Sequence, residues 1–90
     1  MIVLAFGRKV LVPDAQAHFT ALLILENPPK RFRTCNAHIA MRGCNDDYED
    51  WVTITLSAEY EGACAAFAQW VTVQMTRRGF ALVPELSSGP

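Results

Sequence analysis

The sequence predicts a single α+β domain in which a mainly antiparallel sheet carries one long C-terminal helix on one face. Three observations carry this. A 3.6-residue apolar period runs from Ser57 to Arg78, strict alternation marks Phe32 to Met41 and Trp51 to Ser57, and Gly7-Arg8-Lys9 separates two short apolar runs near the N-terminus. Ninety residues give one core and no room for a second, so residues 1–84 are taken as the domain and 85–90 as a frayed C-terminal tail.

Ile2–Phe6 and Val10–Val12 read as a β-hairpin, because glycine at the first central position suits a type II′ turn. Pro13-Asp14 ends it, since proline cannot donate to a ladder. Residues 17–26 can be read two ways. As a helix, Asp14 would cap it and Asn27-Pro28-Pro29 would stop it. Yet its apolar residues then point all round, with Glu26 on the same side as Phe19. As a strand, Phe19, Ala21, Leu23 and Leu25 line one face. The strand is the preferred reading, giving a hairpin followed by a meander. The helix is the alternative and converts the chain to the ferredoxin-like βαββαβ order.

Further along, Cys35, Ala37, Ile39 and Met41 share one face of a strand, and Thr34, Asn36 and His38 the other. Val52, Ile54 and Leu56 point inward from the next strand, with Thr53, Thr55 and Ser57 outward. Such strands describe a sheet with one solvated side. Ser57 then reads as the N-cap of the long helix, with Glu59 and Glu61 favouring the positive end of its dipole. Its apolar arc runs through Tyr60, Ala63, Cys64, Phe67, Trp70, Val71 and Met75, and Gly79 stands just past its end. Phe80–Val83 adds a last strand before Pro84.

The hydrophobic fraction of 51% sits just above the globular norm of roughly 45–50%, which excludes disorder for most of the chain. A net charge of −1 gives no global attraction to nucleic acid or to an anionic membrane. Three cysteines (Cys35, Cys44, Cys64) cannot all pair within one chain, so reduced thiols in a cytoplasmic setting are expected. Met1–Phe6 meets Arg8 and Lys9 too early for a signal peptide, and no apolar stretch approaches the ~18 residues of a membrane span.

No cofactor or catalytic signature is present. Cys35-x-x-His38 has a metal-like gap, but residues three apart on a strand point to opposite faces, so no metal site is expected. Neither His18 nor His38 is flanked by a nucleophile signature. The acids Asp46, Asp47, Glu49 and Asp50 lack the glycine and terminal glutamate of a calcium loop. A non-enzymatic protein is the expectation.

Charge layout is the more informative feature. Arg8, Lys9, Lys30, Arg31, Arg33 and Arg42 stand in the first 42 residues against only Asp14 and Glu26, whereas Asp46, Asp47, Glu49, Asp50, Glu59 and Glu61 follow with no base among them. One reading is internal, the two ends of the sheet attracting each other. The sharper reading makes Asp46, Asp47, Tyr48, Glu49, Asp50 and Trp51 a partner-binding loop that docks on a basic protein surface. The function expected is therefore a small interaction module, an adaptor, inhibitor or regulator that occludes a protein partner, of the size common among accessory proteins of phages and mobile elements. So small a core is also compatible with a homodimer. The alternative is a nucleic-acid-binding domain using Lys30, Arg31, Phe32 and Arg33, where bases and an aromatic interleave.

Overall fold

The computed structural model describes residues 1–9, 16–44 and 49–88. Among them stand a strand Ile2–Lys9 (β1), a helix Ala17–Glu26 (α1), a 3₁₀ turn Lys30–Phe32 and strands Asn36–Cys44 (β2) and Glu49–Ser57 (β3). A helix Glu61–Arg77 (α2), a two-residue strand Ala81–Leu82 (β4) and a 3₁₀ turn Pro84–Leu86 complete the order. The sheet runs β2-β3-β1-β4, and every pairing is antiparallel. The α+β class expected from the sequence is present, with the long helix packed against the sheet. The βαββαβ order is the ferredoxin-like alternative.

Residues 17–26 form a helix, not the preferred strand. Ala17, Ala21 and Ile24 are buried while Phe19, Leu22, Leu23 and Glu26 face outward. The apolar residues do point all round the helix, and Phe19 shares the outer side with Glu26. Two alanines let the helix lie close to the sheet, and Ala, Leu and Glu are strong helix formers whatever face they occupy.

The turn expected at Gly7-Arg8-Lys9 is not formed. Gly7, Arg8 and Lys9 are extended and pair with Trp51, Asp50 and Glu49. A Cβ on Gly7 would stand 3.2 Å from the Cβ of Trp51, so the glycine serves a close cross-strand approach and makes no turn. Val10–Val12 and the Pro13-Asp14 stop lie outside the described residues.

The core is built by alternation. Ile2, Leu4 and Phe6 of β1 stand opposite Leu56, Ile54 and Val52 of β3, all six buried. Burying side chains of this size contributes roughly 1.5–3 kcal/mol each. From α2, Cys64, Phe67, Ala68, Val71 and Met75 close the core, as the 3.6 period requires. Tyr60 in extended conformation precedes the helix, whereas Ser57, read as its cap, still pairs with Asn36 in the sheet.

The end of α2 is fixed by backbone chemistry. Phe80 N–H donates to Met75 O at 3.2 Å and Gly79 N–H to Thr76 O at 3.1 Å, with Gly79 at φ +89°. This is the Schellman arrangement, and the buried Phe80 and Met75 supply its apolar contact. Of the segment read as a frayed tail, Ser87 and Ser88 are tied to β1. Val3 and Ser88 exchange backbone bonds of 2.7 and 2.8 Å, and Ser87 Oγ accepts from Ala5 N–H at 2.9 Å. No helix among the described residues is long and apolar enough to cross a membrane.

Candidate functional site

The acidic segment divides. Asp46, Asp47 and Tyr48 lie outside the described residues, and Glu49 pairs its backbone with Lys9. Asp50 is 1% exposed, and its carboxylate is used within the fold. Its Oδ2 accepts from Gln16 N–H at 2.8 Å and from Arg8 Nε at 3.1 Å, and its Oδ1 accepts from Ala17 N–H at 2.9 Å. The first amides of α1 are orphan donors at the positive end of a helix dipole, and no side chain of the helix caps them. Asp50 does so from β3. The Arg8 guanidinium is held from its other side, 4.7 Å above the Phe80 ring. Trp51 is half-buried against Gly7. The last three residues of the expected partner loop, Glu49, Asp50 and Trp51, are thus part of the sheet itself.

The basic segment is placed differently from its reading. Phe32 is buried in an aromatic cluster, its ring centroid 5.1 Å from Phe67 and 6.0 Å from Trp70, so it is not available to stack on a base. Arg31 lies over its outer side, 4.5 Å from the centroid. Lys30 and Arg33 are exposed. Beside this turn runs a groove of about 360 Å³ along α2, lined by Trp70, Val73, Arg31 and Arg77 among others. Trp70 stacks on Phe67 at an interplanar angle of 17°, which fixes the plane of the indole. Arg77 and Trp70 belong to one stripe with Ala66, Val73 and Gln74, a helical periodicity that the sequence displays but that was assigned to the core arc at Trp70 alone.

The third surface was not anticipated. On α1, Phe19, Leu22 and Leu23 are 63%, 47% and 53% exposed, at the i, i+3, i+4 spacing that gathers side chains into one patch. A groove of about 350 Å³ adjoins it, lined by Leu22, Leu25, Glu26, Ala37 and Ile39, between α1 and the edge strand β2. The signal was in the sequence: a ten-residue helix apolar on every side must leave part of that surface outside when only one side meets a sheet.

Cys35 and Cys64 are free thiols; Cys64 Sγ donates to Leu56 O at 3.5 Å, while Cys35 Sγ reaches Ala63 O at 3.9 Å. Burial pushes the Cys35 thiol above its ordinary range, and the neighbouring Cys64 adds to this. His38 is exposed beside Thr55 on the opposite side of the sheet from Cys35, so that pair does not converge. Among the described residues no three of His, Cys, Asp and Glu gather into a metal-binding cluster.

No protein-family model matches the chain, and no curated protein or solved structure matches it either. What the surfaces can do rests on their own chemistry.

Proposed function

We propose that the protein is a non-enzymatic protein-binding module, an adaptor, inhibitor or regulator that covers a surface of its partner, with the outer face of α1 as its hydrophobic anchor. The observation that carries this is the exposure of Phe19, Leu22 and Leu23 together. They form an apolar patch on the order of 300 Å², the size at which the largest patch on a soluble monomer is often functional. At ~25 cal/mol per Å², covering such a patch yields several kcal/mol before the costs of association are subtracted.

The neighbouring groove would seat an aliphatic knob of the partner, and Glu26 at its rim favours a cation beside that knob. Asp50 ties the first residues of β3 to the start of α1, so that end of the sheet lies beside the helix that carries Phe19. The partner surface that fits is apolar at its centre and carries a cation opposite Glu26.

The test is comparative capture. The wild-type protein and a Phe19→Asp/Leu23→Asp variant are immobilised in parallel and exposed to the same lysate. A protein retained by the first and lost from the second, with unfolding midpoints unchanged, supports the module. Equal retention on both removes α1 as the contact surface.

A further inference from the structure

We propose that the groove between the Lys30–Phe32 turn and α2 is a binding site for single-stranded nucleic acid, independent of the α1 face. Its floor and walls have the three parts such a site needs. Trp70 offers an indole whose plane is already fixed by stacking on Phe67 at 6.1 Å, so a base that stacks on it meets a surface with its orientation set. Arg31 is held over Phe32, and Arg77 lines the same groove from α2. Gln69 and Gln74 supply amides that can pair with base edges.

Charge decides the class of ligand. None of the described residues lining the groove is acidic, and Lys30, Arg33 and Arg78 are chain neighbours of its lining residues Arg31, Phe32 and Arg77. Arg78 donates to the carbonyl and to the amide oxygen of Gln74 at 3.0 and 3.2 Å, which keeps that guanidinium at the rim. Two of these cations line the groove and three more stand beside them on the same two short segments, in a protein whose overall charge is −1. A run of phosphates fits the margin, and stacked bases fit the floor. The stripe from Ala66 to Arg77 spans eleven residue steps of an α-helix, about 16 Å, enough for two or three nucleotides at ~6–7 Å each. An acidic peptide would satisfy the arginines but leave the indole without a stacking partner.

The groove also corrects the expectation drawn from Lys30-Arg31-Phe32-Arg33. The cations of that segment are kept, but the aromatic that would stack is Trp70, contributed by α2, because Phe32 is consumed by the core.

The chain has two tryptophans, so Trp51→Phe leaves Trp70 as the single reporter. Titration of this variant with eight-nucleotide oligothymidylate and oligouridylate is expected to quench its fluorescence saturably, with Kd in the range of about 10⁻⁴ to 10⁻⁶ M at physiological salt and tighter at 50 mM. With three phosphates neutralised, affinity should fall about 20-fold between 50 and 200 mM salt, since the slope for single strands is roughly −0.7 per contact. Arg31→Gln and Arg77→Gln should each weaken binding several-fold, and Phe19→Asp/Leu23→Asp should leave it unchanged, which keeps this site separate from the α1 face. A polyglutamate peptide of matched charge should compete weakly. Absence of quenching at 50 mM salt, insensitivity to both arginine substitutions, or competition by polyglutamate at equal strength would each overturn the proposal, the last in favour of an acidic protein segment.

Discussion

Asp50→Ala tests whether the acidic segment serves the fold or a partner. The carboxylate receives two backbone amides at the start of α1 and the Arg8 Nε, and it is buried. Loss of a helix cap typically costs about 1 kcal/mol per satisfied amide. Removing one member of a buried ion pair costs about 3–5 kcal/mol where the other charge stays buried. Here Arg8 keeps 29% of its side-chain surface in water and its contact with Phe80, so the ion-pair share falls well below that range. Together the loss should be about 3–4 kcal/mol.

For a domain of ninety residues that is a large part of a total stability of roughly 5–13 kcal/mol. The assay is urea denaturation, where the midpoint should drop by about 2 M or more at an m-value of ~1.5 kcal/mol/M. Asp50→Asn keeps the shape and one acceptor oxygen and should lose less, about 2–3 kcal/mol. Glu59→Lys, an exposed change of equal sign on the same acidic run, should stay within ~0.5 kcal/mol. Hydrogen exchange at Ala17 and Thr20 should accelerate in the Asp50 variants ahead of exchange in α2. A loss under 1 kcal/mol, with exchange at α1 unchanged, would show that the helix is held by its sheet-facing alanines alone and that the Asp50 network contributes nothing.

Three further outcomes follow from the geometry. Phe67→Ala, which empties the centre of the Phe32–Phe67–Trp70 cluster, should cost about 3–5 kcal/mol by chemical denaturation. Gly79→Ala forces a side chain into φ +89° and should cost about 1–2 kcal/mol, although the site itself has open space, so the loss measures backbone conformation and not a clash. Cys35 should react with iodoacetamide more slowly than a small free thiol at pH 8, because its raised pKa keeps it protonated; as this favours the neutral form in the folded state, stability should fall as pH rises through the ordinary thiol range, an effect that Cys35→Ser would remove.

The parts of the fold that were legible are those where one periodicity has one explanation. Val52, Ile54 and Leu56 alternate in a strand buried on one side, and the α2 arc has a polar opposite face, so each pattern fixed its own phase. Residues 17–26 have no polar face, and the period alone does not then distinguish a helix with an exposed apolar side from a two-sided strand. Gly7-Arg8-Lys9 misled for a related reason. Glycine is common to turns and to close strand pairs, and only the position of Trp51 across the sheet separates them. The candidate residues fared by the same logic. Asp50 looked like one acid among four, and its role depends on a helix start that lies 33 residues earlier in the chain. Phe32 looked available because its neighbours are charged, yet its ring is held by Phe67 and Trp70, 35 and 38 positions away.

The same arrangement explains why the outer face of α1 is informative about function. Most helices of this length rely on a cap of their own and on i,i+4 pairs along a polar exterior. α1 has neither: its amides are satisfied from β3, and its inner side, Ala17, Ala21 and Ile24, meets the sheet. Polar residues at 19, 22 and 23 would therefore leave the capped end and the buried stripe intact, and would improve solubility. Phenylalanine and two leucines at these positions do the opposite, placing apolar surface in water where the fold does not require it. They stand beside an edge strand and an aliphatic groove, and the proposed partner would cover them; the substitutions at Phe19 and Leu23 put that reading to the test.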